Sequence, residues 1–286
     1  MKIARYWIKG KAEAAAPESG KRITVATWGW SELSREEAER RANEAAQRAA
    51  RRIETGEPLP RGYGYSERPP REEIIEEIKS ADDEVVATIT RNSYGVLVLN
   101  TKDLMFIDID IPTETPGARF LRTLKNLFGG KSDDPENRIR KGIADQARVN
   151  GNYTFRLYRT FAGFRCAITN RPVSPDSAES KRLLDEFGAD PLYVVLCQNQ
   201  QSYRARLTPK HWRCGASRPP NRFPWATEAD EQRYRTWEKE YEERCGQFAT
   251  CRLIEQFGAQ EGGAEFRALI RLHDELTRAN TELKLA

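Results

Sequence analysis

The 286-residue chain has little of what most active sites and membrane segments are built from. Two histidines leave few candidates for imidazole catalysis. No apolar run approaches the roughly 20 residues of a membrane-spanning helix. The longest runs are strand-sized, such as 95–99, and Met1-Lys2-Ile3-Ala4-Arg5 has no apolar segment of the signal-peptide kind. Cytoplasmic residence is the expectation. Five cysteines, at 166, 197, 214, 245 and 251, are odd in number and scattered, which suits a reducing compartment better than a disulfide framework. A glycine-rich phosphate loop, a nucleophile elbow and a His-Glu-x-x-His helix are all missing, as are internal repeats and low-complexity tracts.

Hydrophobic residues make up 38% of the chain and charged ones 31%, enough for a core inside a highly polar surface. With 47 basic and 43 acidic residues the net charge is only +4, so total charge does not by itself select nucleic acid. The distribution is more informative. From Pro191 to Cys214 the basic residues Arg204, Arg206, Lys210 and Arg213 occur with no acidic residue among them.

Periodicity and turn chemistry predict strands around 3–9 and 22–28 as a hairpin, then a helix opened by Ser34-Arg35-Glu36-Glu37, a capping box, with Ala38, Ala42, Ala45, Ala49 and Ile53 as its packing face. A Pro- and Gly-rich connection over 56–70, open to motion, leads to a short helix over 71–79. Strand runs at 84–90, 95–99 and 104–109 read as an antiparallel meander, and 117–150 as helical with a polar loop at 129–134. A second hairpin is expected from 153–159 and 164–169, a helix at 176–187, and strands at 193–197 and 202–207. Two C-terminal helices carry the stripes Tyr234, Trp237, Tyr241, Cys245, Phe248 and Phe266, Leu269, Ile270, His273, Leu276. The expectation is one α+β domain: a mixed or antiparallel sheet of hairpins with packed helices and a C-terminal helical pair.

The strongest chemical signal is Phe106-Ile107-Asp108-Ile109-Asp110. Alternation puts Asp108 and Asp110 on one face of a strand and the isoleucines on the other. Two carboxylates so close need a divalent cation, a proton or arginines. As metal ligands they suit Mg²⁺ or Mn²⁺, and such ions organise phosphates in nucleotidyl transfer. As structural groups they would pair with arginines or cap turns. The arginines are the second signal: Arg156, Arg159 and Arg165 on the hairpin, and Arg204 and Arg206 on one face of a later strand with Lys210 nearby, are suited to phosphate oxygens or to neutralising the aspartates. Trp212, Tyr203 and Tyr158 lie among them as candidates for stacking on bases or as core. His211-x-x-Cys214 with Cys245 and Cys251 lacks the paired close spacing of structural zinc sites.

Over residues 84–214 the order of elements, with Asp-x-Asp on a strand, then a hairpin, then a basic strand, resembles the catalytic core of the archaeo-eukaryotic primase superfamily. The resemblance implies Asp108 and Asp110 as ligands of catalytic metal ions. Gly163-Phe164-Arg165 stands at that family's small-x-His motif, with Arg165 in the histidine's place, and no strand carries its third, apolar-Asp motif. The implied function is a nucleotide or nucleic-acid binder, either a metal-dependent nucleotidyltransferase or an inactive relative. Asp108 and Asp110 would hold the metal, and Arg159, Arg165, Arg204, Arg206 and Lys210 the phosphates. The competing expectation is a non-enzymatic module with a structural Asp pair, engaging a protein partner through Pro219 to Trp225.

Overall fold

The computed structural model describes residues 1–17, 20–58, 69–112 and 135–286. Most of the connection read over 56–70, and the part of the helical stretch before residue 135 together with its polar loop, lie outside these residues.

The chain opens with a hairpin of β1 (Tyr6–Ala15) and β2 (Arg22–Ser31). Helix α1 (Arg35–Glu54) crosses one face of it. The Ser34 hydroxyl accepts the Glu37 N–H at 3.1 Å, the cap that the sequence promised. The helix buries Ala38, Ala42, Ala46 and Ala50, so the small-residue face runs through 46 and 50 while Ala45 and Ala49 stay half-exposed. Contact is close enough that a Cβ on Gly29 would sit 2.2 Å from the Ala38 carbonyl oxygen, and one on Gly10 2.4 Å from the Ala42 carbonyl carbon. The Thr27 hydroxyl donates to the Ala42 carbonyl at 3.0 Å across the same seam.

Two four-stranded antiparallel sheets follow. The first has the order β3 (Glu73–Lys79), β4 (Val85–Arg91), β5 (Leu97–Thr101), β9 (Tyr203–Arg206). The helix expected over 71–79 is therefore a strand. Its β-branched Ile74 and Ile78 pair across β4 with Thr90 and Ala87, and sheet pairing overrides a helical reading of the intervening glutamates. The second sheet has the order β11 (Cys251–Phe257), β7 (Phe155–Thr160), β8 (Gly163–Ile168), β6 (Phe106–Asp110). Strand β6 does not continue the meander. A turn fixed by the Thr101 hydroxyl donating to the Leu104 carbonyl at 2.6 Å sends it into the second sheet, beside β8.

The helices α2 (Pro135–Val149), α3 (Ala178–Glu186), α4 (Pro191–Gln200), α5 (Glu228–Cys245) and α6 (Ala264–Thr277) complete the described α+β fold. Phe187, capping α3, packs on Phe155 from one side of the second sheet, and His273 of α6 meets Tyr158 and Phe106 on the other. The 193–197 segment is helix rather than strand. The Asp190 carboxylate caps it by accepting the Tyr193 N–H at 2.8 Å, and Pro191 starts the first turn. The two C-terminal helices are present with Tyr234, Trp237, Tyr241, Cys245 and Phe266, Leu269, Ile270, His273 inward, but Leu276 is half-exposed and Phe248 lies past the end of the first helix, on β10 (Phe248–Ala249), which pairs with β12 (Lys284–Leu285). Between the helices the chain adds β11 to the second sheet. Cys214, Tyr234, Trp237, Tyr241 and Cys245 form a second, smaller core around α5. No helix among the described residues is long and apolar enough to cross a membrane.

The close hairpin–helix seam gives a direct test by thermal and urea unfolding. Gly29→Ala is expected to cost about 1–3 kcal/mol by overpacking. Gly142→Ala, inside α2 with nothing within 4 Å of its Cβ, is expected to gain about 0.5–1 kcal/mol. Equal effects would contradict the tight seam.

Candidate functional site

The two sheets meet where β6 lies near β9, and the charged residues singled out in the sequence divide at that seam. Asp108 and Asp110 share a face of β6 while Ile107 and Ile109 are buried behind it. Asp108 stands directly opposite Arg165 on β8. The guanidinium grips it with both arms, Nε to Oδ1 at 2.8 Å and Nη2 to Oδ2 at 3.3 Å. Arg165 is 1% exposed, so burial pulls its pKa down, and the Asp108 carboxylate more than reverses that and holds the arginine charged. Its remaining nitrogen, Nη1, donates to the Arg206 carbonyl at 3.0 Å and reaches His273 Nε2 at 3.3 Å.

A guanidinium only donates, so His273 accepts through Nε2 and its Nδ1–H faces Asp274 Oδ1 at 3.0 Å. The Tyr158 hydroxyl donates to the same oxygen at 2.8 Å, and Arg156 pairs with Oδ2 at 3.0 Å. Burial, followed by the Arg165 charge, lowers the His273 pKa against the pull of Asp274, and the ring is held neutral.

Asp110 is placed differently. It is exposed, and its carboxylate makes no hydrogen bond or ion pair among the described residues. Partial burial, then the charges of Asp190 and Asp108, raise its pKa against the opposing pull of Arg206 and Lys210. Around it stand three cations. Arg206 is half-buried, with its pKa pushed down to about 10 by burial and by Arg165, and its buried Nε has no hydrogen-bond partner. Lys210 is lowered by burial and by Arg206 and Arg213, and its ammonium lies 5.3 Å from the centre of the Trp212 ring. Arg213, also lowered by burial, lies over Phe161 at 4.2 Å and leaves Nη1 buried and unpartnered. Trp212 is 52% exposed and Phe161 49%. Together these groups form a basic patch edged by aromatic rings, termed the basin below.

Besides Arg165, spent on Asp108 rather than on phosphate, two more of the arginines expected here are used elsewhere. Alternation does put Arg204 and Arg206 on one face of β9, but Arg204 is consumed in a buried cluster with Glu72 at 2.7 Å, Asn100 at 2.8 Å and Gln200 at 2.7 Å. Arg159 projects from the opposite face of the second sheet to Arg165, where Glu136 takes it bidentately at 2.7 and 2.9 Å. Tyr158 and Tyr203 are buried and have no ring face for a base, which leaves Trp212 of the three stacking candidates. Cys214 and Cys245 lie 3.9 Å apart, but Cys214 donates to the His211 carbonyl and Cys251 sits on β11. Among the described residues no group of three or more His, Cys, Asp or Glu is arranged to hold a metal ion. A divalent ion shared by both aspartates would have to compete with Arg165 for the Asp108 carboxylate.

Comparison with family models, with curated proteins and with solved structures returns no match to this chain. The site is therefore read from its own geometry.

Sequence reasoning named Asp110, Arg206, Lys210 and Trp212 of these residues, counted Arg213 only within the basic run and gave Phe161 no role; it also missed two residues that α4 contributes to the frame. Asp190 donates its N–H to the Asp108 carbonyl at 3.0 Å. The Tyr193 hydroxyl donates to the Phe106 carbonyl at 2.6 Å and receives the Arg204 N–H at 3.4 Å, bridging β6 and β9. The available signal was Asp190-Pro191, a helix cap followed by proline at N1.

The buried histidine carries a pH prediction. Its folded pKa lies below the ordinary 6.5, so the native state binds fewer protons than the unfolded chain at mildly acid pH. Its stabilising neutral form is fully present above pH 6.5 and penalised as pH falls below it, by up to about 1.4 kcal/mol per pH unit. Unfolding free energies between pH 7.5 and 5 should show this slope, and His273→Gln should remove about one proton's worth of it. An unchanged slope would show that the ring protonates inside the fold.

Proposed function

We propose that this chain binds a phosphate-bearing ligand, a nucleotide or nucleic acid, in the basin formed by Arg206, Lys210 and Arg213 beside Asp110. One observation carries the reading. Three cations crowd together with lowered proton affinities, two of them with buried unpartnered donors, while Asp110, the carboxylate among them, pairs with none of them and Asp108 is taken by Arg165. Bringing like charges together costs free energy, and a bound polyanion recovers it. Guanidinium forks and an ammonium match phosphate oxygens, and the half-exposed Trp212 beside Lys210 offers a face to a base.

In this reading the primase-like layout serves binding. Arg165 stands where that family places a histidine, and it occupies the first carboxylate of the Asp-x-Asp pair. Asp110 then acts as a like-charge gate on an anion rather than as half of a metal site. The alternative of a protein-partner surface at Pro219 to Trp225 draws less support, because Pro219 is buried and Trp225 packs against Tyr234 under Arg235.

The test is equilibrium binding of ATP and of pyrophosphate in EDTA. Arg213→Ala is expected to weaken binding roughly tenfold, the loss of one charge-assisted contact worth about 1.5 kcal/mol. Asp110→Asn is expected to tighten it roughly two- to fivefold, since removing a half-exposed like charge is worth about 0.5–1 kcal/mol. Binding in wild type should likewise tighten as pH falls and Asp110, with its raised pKa, takes up a proton. Binding that needs Mg²⁺ or Mn²⁺ and disappears in Asp110→Asn would overturn the reading in favour of a metal site.

A further inference from the structure

The N-terminal hairpin has two faces, and only one is used by the fold. Ile8, Gly10, Ala12, Val25, Thr27 and Gly29 face α1, as the Gly10, Gly29 and Thr27 contacts with Ala38 and Ala42 fix. Cross-strand partners share a face, so Trp7 with Trp30, Lys9 with Trp28, and Lys11 with Ala26 lie on the other side. Among the described residues α1 is the one element in extensive contact with the hairpin, and the approaches from elsewhere in the chain are single side chains, Arg71 on Trp28 and Glu77 on Arg5. It holds three of the chain's six tryptophans. Lys9, Lys11 and, further along, Arg22 are exposed and make no ion pair among the described residues. The single acid in the row, Glu13, accepts the Thr24 hydroxyl at 2.9 Å. Two guanidiniums lie on the tryptophan rings, Arg71 over Trp28 at 4.6 Å and Arg41 over Trp30 at 4.9 Å.

From this arrangement we infer that the outer face of the β1–β2 hairpin is a docking surface for single-stranded nucleic acid, separate from the basin at the sheet seam. Charge complementarity selects a polyanion, and Lys9 and Lys11, two residues apart and about 7 Å from each other along the strand, can follow successive phosphates. The flat tryptophan and guanidinium planes select a ligand with bases to stack. An anionic membrane would also draw cations and tryptophans, but membrane anchoring uses rings that protrude, and these are half-buried, two of them under guanidiniums. The surface reads backbone and base faces rather than base edges, so binding is tolerant of sequence.

The test is fluorescence anisotropy of a labelled twenty-nucleotide oligo(dT) with the full chain, alongside ATP binding by the same proteins. Lys9→Glu/Lys11→Glu should weaken oligo(dT) at least tenfold at 100 mM salt and lower the slope of log Kd against log salt by about 1.4, two phosphate contacts at about 0.7 each. Lys9→Arg/Lys11→Arg should retain binding. Both pairs are exposed, and a thermal melt matching wild type establishes that the fold is intact. ATP binding should be unchanged in either pair, and the roughly tenfold weaker ATP binding of Arg213→Ala with oligo(dT) retained at the hairpin would separate the two sites. Oligo(dT) affinity indifferent to Lys9→Glu/Lys11→Glu would overturn the inference. So would a wild-type chain that ignores oligo(dT) but binds vesicles of phosphatidylserine and phosphatidylcholine. Failure of ATP to bind at all would remove the basin reading and leave the hairpin result standing.

Discussion

A guanidinium buried to 1% exposure is the constraint on which the centre of this molecule depends. Removing an isolated charge from water costs several kcal/mol even after relaxation, so Arg165 is tolerable only where a carboxylate and further acceptors surround it. Each of its partners comes from a different element. Asp108 lies across the strand pair on β6, the Arg206 carbonyl belongs to β9 in the other sheet, and His273 comes from α6. Satisfying one side chain thus sets the β6–β8 register, ties the two sheets at their seam and positions the helix on the outer face. The His273, Asp274, Tyr158 and Arg156 contacts extend the same polar network, so that few of its donors are left unspent.

That arrangement determines which charges remain for a ligand. The Asp-x-Asp pair looks symmetrical along the strand, yet its members have opposite fates: Asp108 is spent inside, and Asp110 faces solvent among cations. Glu72 and Glu136 withdraw Arg204 and Arg159 in the same way. What remains is a small surplus of positive charge at the seam, Arg206, Lys210 and Arg213, poorly solvated and mutually repelling. The proposed anion affinity rests on the failure of the fold to neutralise three residues, while every other arginine near the seam has found an acid.

Much of the frame was legible from local rules, because those rules act locally. Ser34 capped its helix, the hairpin at 155–168 formed where alternation and turn chemistry put it, the N-terminal hairpin formed with its first strand at 6–15 rather than 3–9, and Tyr234 to Cys245 and Phe266 to His273 turned their apolar residues inward. The misreadings arose where tertiary context outweighed local preference. Residues 191–200 form a helix apolar nearly all round, with Leu192 and Val195 exposed, so no 3.6-residue period marked it, and only Asp190 and Pro191 signalled a cap. Residues 73–79 became a strand because β4 offered an edge. At the site, alternation correctly put Asp108 with Asp110 and Arg204 with Arg206, since it follows from the backbone alone. Which member of each pair was neutralised depended on Glu72 and Arg165, residues 132 and 57 positions away, and no local pattern encodes that.

The claim that Arg165 rather than a metal ion neutralises Asp108 is tested most directly by a double-mutant cycle. Urea unfolding in EDTA would be measured for wild type, Asp108→Asn, Arg165→Met and the double variant. The predicted result is that each single change costs about 3 kcal/mol, the low end for breaking a buried pair because part of Asp108 reaches solvent, and that the double variant recovers about 2 kcal/mol of the summed loss. An Asp108→Asn chain as stable as wild type or more stable, with additive effects in the double variant, would contradict it, since that is the behaviour of a carboxylate whose charge is a burden until a cation binds.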